Sequence, residues 1–179
     1  MLRNVLALLF CFCFCPPALA QTFFVEKVLD GDTILLTNGK EIRLIGIDVP
    51  ESQPNEKARR LAKETGKNMQ SILAVGKKAV TFIKPLLEGK EVRLEFDKET
   101  IDAQERFWAY VYDVGTYKDK KNVWTPSGYE MSGNEIFINA TIVKSGYASP
   151  LMLPPNIKHA RLFKKLFQEA QQKKRGLWK

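Results

Sequence analysis

The chain has 179 residues, which is long enough for one folded domain. Of these residues 45% are hydrophobic and 27% are charged, a composition typical of globular proteins and not of disordered ones. Its formal net charge of +8 favours an anionic partner, nucleic acid first and an anionic membrane surface second. The sequence contains no Gly-rich phosphate loop and no Cys/His metal motif, which argues against P-loop nucleotidases and zinc enzymes.

The first twenty residues have the layout of a secretory signal peptide. Arg3 precedes an apolar run, and Ala-Leu-Ala at 18–20 resembles a cleavage site, so we expect residues 1–20 to be removed before Gln21. The apolar run is shorter than the ~20 residues that span a bilayer, which disfavours a stable membrane anchor. All three cysteines lie in this segment, so residues 21–179 would be free of cysteine in a secreted or periplasmic location. Lipid modification of a cysteine is the alternative, although a bulky phenylalanine precedes each one.

Two β-type runs, Thr33–Thr37 and Glu41–Ile47, follow a weakly alternating stretch that begins at Thr22. They are joined across Asn38-Gly39, a dipeptide typical of tight hairpin turns. The pattern therefore predicts a β-hairpin.

Acidic residues lie at the ends of this hairpin. Asp32 precedes its first strand, Asp48 closes its second strand, and Glu51 follows the proline that halts the sheet. If the strands pair, these three carboxylates can converge. Because like charges repel, a site that keeps them ionised would contain a cation, and oxygen ligands suit calcium better than a soft metal. The alternative is that they are ordinary turn acids.

A helix-compatible stretch runs from Glu56 to Leu87. Gly66 and Gly76 each disfavour an unbroken helix, so two helical segments are predicted. The first segment is rich in lysine and arginine and is interpreted as a solvated face, with nucleic-acid contact as the alternative. The second has apolar residues at helical spacing and is expected to pack across a barrel.

The next predicted elements are a strand over Glu91–Phe96, a charged loop over Asp97–Glu105, and a strand headed by Arg106. Residues 114–134 are polar and rich in turn formers, and we interpret them as an inserted loop. Aromatic and lysine side chains in this loop are expected to pack on one another. A stacking platform for bases is the alternative.

The C-terminal part is predicted to contain a strand over Glu135–Ile138, a helix over Asn139–Ser145 capped at Gly146, and a final helix capped by Asn156 that runs through Arg175. Trp178 is expected to pack back onto the fold. The only histidine of the chain, His159, is interpreted as structural, because one histidine supplies neither a zinc cluster nor a nucleophilic triad.

Three of these motifs together resemble the thermonuclease family, also called the staphylococcal nuclease-like domain. They are DGDT at 30–33, RLIGIDVPE at 43–51 and DAQERFWAYVY at 102–112, and they recur in the family's order over most of residues 23–179. The resemblance implies an α+β fold, with a five-stranded OB-fold-type β-barrel and about three helices. It also implies a monomeric, calcium-dependent nuclease that cleaves DNA and RNA with little sequence specificity, prefers single-stranded or fraying regions and leaves 3′-phosphate ends.

The resemblance assigns roles to six positions: calcium ligands at Asp32, Asp48 and the backbone carbonyl of Val49, water activation at Glu51, and phosphate binding at Arg43 and Arg106. Two stretches depart from the family pattern. Gln104 and its neighbours replace the lysine, tyrosine and glycine that often precede the second arginine. Leu151–Leu153 replace tyrosines that stack on the nucleotide, and a tyrosine at Met152 is expected to restore that contact. The alternative function is a non-catalytic nucleic-acid or protein-binding module of the same fold.

Overall fold

The computed structural model describes residues 21–115, 131–132 and 135–179. The predicted signal peptide and most of the predicted insertion lie outside these residues. Within them the strands are β1 (Thr22–Asp30), β2 (Thr33–Leu36), β3 (Glu41–Leu44), β4 (Ile47–Asp48), β5 (Glu91–Ile101), β6 (Phe107–Asp113), β7 (Met131–Ser132), β8 (Glu135–Phe137) and β9 (Ser149–Pro150). The helices are α1 (Glu56–Thr65), α2 (Met69–Leu87), α3 (Ile138–Lys144) and α4 (Ala160–Gln172), followed by a short 3-10 helix at Gly176–Trp178.

Five of these strands form a closed barrel. Antiparallel pairing gives the order β3-β2-β1-β5-β6, and a parallel pairing of β3 with β6 closes the ring. The short strands β8 and β7 extend the sheet beyond β6, while β4 and β9 form a separate two-stranded ladder. The predicted α+β fold with a five-stranded barrel is therefore confirmed, with four α-helices over the described residues instead of about three.

The predicted hairpin is present, with Thr33 opposite Arg43 and Gly39 at a φ of +80° in the turn. The prediction that its second strand reaches Ile47 is wrong. Strand β3 ends at Leu44, because Gly46 turns the chain with a φ of +79° and lies against the ring of Phe163, where a β-carbon would be 2.4 Å from Cε2. The chain then enters β4, which pairs with β9.

The two predicted helical segments are α1 and α2. Helix α1 is capped by the side chain of Asn55 and ends at Gly66, which has a left-handed φ of +67°. Helix α2 continues through Gly76, and its apolar face packs on the barrel beside β1. Gly76 is therefore an interior helical residue and not an end.

Strand β5 is longer than predicted. It runs beyond Phe96 to Ile101, which pairs with Phe107 of β6 after an irregularity in the register. The predicted loop over Asp97–Glu105 is therefore wrong in its first half. Only a short turn after Ile101 remains before Arg106, so this arginine is anchored close to a paired strand end.

The final helix begins three residues later than predicted, at Ala160, with His159 at the N-cap position. Asn156 does not cap it: its side chain accepts a hydrogen bond from the Glu99 backbone N–H (2.9 Å) and donates one to the Glu99 carbonyl (2.8 Å). These bonds tie the loop that follows β9 to the outer half of β5. Helix α3 ends as predicted, with Gly146 in the left-handed region at a φ of +80°.

His159 packs edge-on against the rings of Tyr110 and Phe137, and its Nε2 atom is 3.3 Å from Oε1 of Glu95. Its structural role stays a prediction. The prediction that Trp178 packs back onto the fold is confirmed. Trp178 contacts Phe167, with the ring centroids 5.3 Å apart. No helix in the described ranges is long and apolar enough to cross a membrane.

Candidate active site

One pocket, with a volume of about 760 Å³, opens beside the barrel between the end of β3 and the start of α1. Four of the predicted site residues line it: Asp32, Arg43, Glu51 and Arg106. The fold brings them together because β2 pairs with β3 and β3 pairs with β6, so residues far apart in sequence meet at neighbouring strand ends. Further lining residues are Leu29, Asp30, Thr33, Glu41, Asn55, Glu56, Lys57, Gln104 and Leu153.

Asp32 is the most buried acid of the pocket, with 5% of its surface exposed. One of its carboxylate oxygens, Oδ1, accepts a hydrogen bond from Nη1 of Arg43 (2.6 Å) and another from the Thr33 hydroxyl (3.1 Å). Burial raises the pKa of Asp32, and the charge of Asp48 adds to this, although Arg43 and Lys57 act in the opposite direction. A cation bound at Asp32 would therefore favour its ionised form.

Arg106 lies just before β6 and is held by the turn that follows β5. Its Nε and Nη2 atoms are 2.9 and 2.6 Å from Oδ2 of Asp102, and Nη2 also donates to Gln104. Burial acts to raise the pKa of Asp102, but the hydrogen bonds and charge of Arg106 outweigh it and lower that pKa. The third nitrogen, Nη1, donates to the Thr33 hydroxyl at 3.3 Å. Through Thr33, Arg106 is connected to Asp32, the carboxylate that Arg43 contacts directly.

Glu51 lies between β4 and α1 and is largely buried. The side-chain amide of Asn55 makes two contacts: its Nδ2 atom donates to Oε2 of Glu51, and its Oδ1 atom accepts from the Ala58 N–H and so caps α1. The same side chain therefore fixes the helix start and the carboxylate. Burial acts to raise the pKa of Glu51, but bonds from Lys57 and Asn55 outweigh it, and the pKa is lowered. Glu51 is therefore ionised at neutral pH.

Lys57, in the first turn of α1, is a pocket residue that the sequence did not reveal. Its Nζ atom is 2.5 Å from Oδ1 of Asp48 and 2.7 Å from Oε1 of Glu51, so one ammonium bridges two of the predicted site acids. Burial acts to lower the pKa of Lys57, but its two carboxylate partners outweigh this and raise it. The sequence does not distinguish Lys57 from the other lysines and arginines of α1, a helix whose basic face we interpreted as exposed to solvent. A weak signal was its position, since side chains at a helix start point back toward the preceding loop.

Val49 lies between Asp48 and Glu51, and only 3% of its surface is exposed. Its side chain packs on Gly31, where a β-carbon would be 2.1 Å from Cγ1 of Val49. Among the described residues, none donates a hydrogen bond to the Val49 carbonyl. A buried carbonyl without a partner is costly unless something else binds it.

These groups fit a hard divalent cation. The charge of Asp48 acts to raise the pKa of Asp32, so the two carboxylates interact. The Val49 carbonyl, which has no donor among the described residues, is the candidate third oxygen ligand. Over the residues that the structure describes, no three acidic, histidine or cysteine side chains could hold one metal ion. The candidate ligands are therefore the carboxylates of Asp32 and Asp48 and the carbonyl of Val49, and of these three residues only Asp32 lines the pocket.

Two partly exposed leucines contribute apolar surface to the rim of the pocket. Leu29 and Leu153 line it and are 38% and 42% exposed. Met152, which was expected to mark the nucleotide-stacking position, is exposed but does not line the pocket. The structure thus places Leu153, one residue later, at this rim.

Comparison with known proteins gives a consistent result. The family described as "Staphylococcal nuclease homologue" matches residues 41–179. The chain is 31% identical over 162 residues to a thermonuclease from Staphylococcus intermedius and, over the same length, to one from Staphylococcus hyicus; each alignment covers 88% of this chain and 76% of the relative. It is also 29% identical over 160 residues to the SPbeta prophage-derived endonuclease YokF of Bacillus subtilis (strain 168), covering 86% of this chain and 43% of that protein.

Proposed function

The chain belongs to the staphylococcal nuclease family and is a nuclease, a phosphodiester hydrolase; we propose that it acts on DNA and RNA with calcium, with little sequence specificity. The observation that carries the proposal is the convergence of Arg43, Arg106, Asp32 and Glu51 on one pocket. A binding module of this fold would not need two arginines and a buried, ionised glutamate at one point.

The two arginines are proposed to bind the scissile phosphate. Their side chains are 18% and 22% exposed, so each presents part of its guanidinium to the pocket while carboxylates fix the rest. A planar guanidinium binds two phosphate oxygens, and its charge does not titrate near neutral pH. As negative charge grows on the non-bridging oxygens in the transition state, Arg43 and Arg106 would stabilise it without reorganising.

Glu51 is proposed to act on the attacking water. It is ionised at neutral pH, and Asn55 and Lys57 fix the direction of its carboxylate. Glu51 would accept a proton as the water oxygen bonds to phosphorus. The bond from phosphorus to the 5′ oxygen then breaks, the leaving oxygen takes up a proton from solvent, and a 3′-phosphate end remains.

Asp32, Asp48 and the Val49 carbonyl are proposed to hold the calcium ion. When bound, calcium polarises a phosphate oxygen and helps to orient water. The two carboxylates would supply the charge, and the close packing of the Val49 side chain on Gly31 restricts the movement of this residue.

The proposed location is outside the cytoplasm, in the periplasm or the medium, with the protein acting as a monomer on single-stranded or fraying nucleic acid. The sequence pattern at 18–20 carries this part of the proposal. Mass spectrometry of the protein recovered outside the cytoplasm should give an N-terminus at Gln21 or within a residue or two. An intact Met1 in that fraction would contradict it.

The test of the function is release of acid-soluble nucleotides from heat-denatured DNA and from RNA by the purified protein, with calcium and with a chelator. We expect release in calcium, loss of release in chelator, and products whose 3′ ends carry phosphate. Release that persists in chelator, or that zinc alone restores, would overturn the metal assignment. Binding of DNA without any release would favour the non-catalytic module.

A further inference from the structure

The site contains a cation of its own, the ammonium of Lys57. It bridges Oδ1 of Asp48 at 2.5 Å and Oε1 of Glu51 at 2.7 Å, and the side chain lines the same pocket as the two arginines. Without a metal, the single positive charge of Lys57 is shared by the two acids and offsets part of their repulsion. This ammonium therefore occupies one of the two carboxylate oxygens of Asp48, a proposed calcium ligand.

The two cations cannot share this carboxylate oxygen. An ammonium at hydrogen-bond distance from Oδ1 fills one side of it, and a divalent ion at normal coordination distance would strongly repel the adjacent positive charge. Even if the two cations bind different oxygens of Asp48, their charges repel at this short range, so calcium binding favours displacement of Lys57.

The geometry shows that Lys57, and not Arg43, is the cation able to move. The Arg43–Asp32 pair is 18% and 7% exposed, and Arg43 is fixed in a paired strand. In the second pair, the side chains of Lys57 and Asp48 are 37% and 34% exposed, respectively. Lysine also carries its charge on a flexible four-carbon side chain. Solvent also screens the more exposed pair, so breaking it costs less.

A released ammonium has a second partner in the proposed function. The pocket that Lys57 lines also contains the arginines proposed to bind phosphate, so a substrate phosphate there would attract the free ammonium. A bound phosphate would in turn draw Lys57 away from Asp48 and clear the calcium ligand. Binding couplings of this kind are reciprocal, so each ligand would strengthen the other.

We propose that Lys57 competes with calcium for Asp48, an inference that rests on the proposed calcium-dependent function. Movement of Lys57 from Asp48 to the substrate phosphate would then couple calcium binding to nucleotide binding. Lys57 thereby acts as a positioning residue that keeps the acids paired until metal and substrate arrive together.

The experiment measures calcium affinity by isothermal titration calorimetry, with and without a nucleotide 3′,5′-bisphosphate as the phosphate probe. For Lys57→Met we expect calcium to bind about ten-fold more tightly without nucleotide, and the nucleotide to improve calcium affinity less than in the wild type. The matched control is Lys63→Met, which removes an exposed lysine of the same helix that forms no ion pair with the described residues. This control should bind both ligands as the wild type does.

Thermal unfolding gives a second readout that needs no catalysis. Loss of Lys57 leaves Asp48 and Glu51 without their cation, so Lys57→Met should be destabilised in chelator and recover in calcium. The calcium-induced rise in Tm should therefore exceed that of the wild type, and Lys57→Gln serves the same purpose if the methionine variant folds poorly.

Calcium affinity that is unchanged or weaker in Lys57→Met, or an unchanged effect of the nucleotide, would overturn the inference. A wild-type protein that binds no calcium would instead overturn the proposed calcium-dependent function. The two failures are therefore distinguishable.

Discussion

Gly76, in the middle of α2, lies directly against the backbone of Glu51. A β-carbon at position 76 would be 2.0 Å from the Glu51 carbonyl oxygen and 2.6 Å from the Ser52 nitrogen, which are distances that real β-carbons do not reach. The helix therefore fixes the segment of the proposed catalytic glutamate through a backbone contact that only glycine allows.

Gly76→Ala should push this segment away from α2 and lower turnover by about ten-fold or more, because small displacements of a catalytic group are costly. Steady-state kinetics on denatured DNA would measure the effect. The control is Gly66→Ala, where no atom lies within 4 Å of the added carbon but φ is +67°. That change should cost about 1–2 kcal/mol of stability through backbone strain and leave turnover intact. Wild-type turnover in Gly76→Ala would show that Glu51 is positioned by other contacts.

Glu51→Gln and Arg106→Ala should each lower turnover by roughly 10²–10³-fold, because both groups are proposed to act mainly on the transition state. Circular dichroism should show an unchanged fold. Arg161→Ala, which removes an exposed arginine of α4, should behave as the wild type does. A pair of site variants with normal turnover would argue for the binding-module alternative.

Thr33→Val tests the connection between Arg106 and Asp32. Valine has nearly the same shape as threonine but lacks the hydroxyl that accepts from Arg106 and donates to Asp32. Because Thr33 is buried, we expect a loss of about 1 kcal/mol of stability and a drop in turnover with little change in KM. Thr33→Ser keeps the hydroxyl and should retain most of the activity. Equal activity of the two variants would mean that the hydroxyl does not position Arg106.

The parts of this molecule that local sequence determines could be predicted. The hairpin across Asn38-Gly39 and the end of α1 at Gly66 depend on turn chemistry within a few residues. The closure of the barrel, by contrast, came from family resemblance, since no local pattern specifies that β3 pairs with β6. The meeting of Arg43 and Arg106 in one pocket follows from that closure.

The features that sequence reasoning missed depend on distant partners. Asn156 has the chemistry of a helix cap, yet it binds the backbone of Glu99, 57 positions away. Gly76 was interpreted as a helix breaker, whereas its role comes from contact with Glu51 in another element. Lys57 resembles any other cation on a basic helix, and only the fold places it between Asp48 and Glu51.

The last prediction concerns the apolar rim of the pocket. Stacking of a base on an aromatic ring contributes about 1–3 kcal/mol, so Leu153→Tyr should lower KM by roughly ten-fold and tighten a nucleotide 3′,5′-bisphosphate inhibitor. Turnover should change less, because stacking holds the substrate and the transition state alike. Met152→Tyr is the matched control, since Met152 is similarly exposed but does not line the pocket. If Met152→Tyr lowers KM and Leu153→Tyr does not, the base lies on the outer face of this loop and not at the rim beside Leu29.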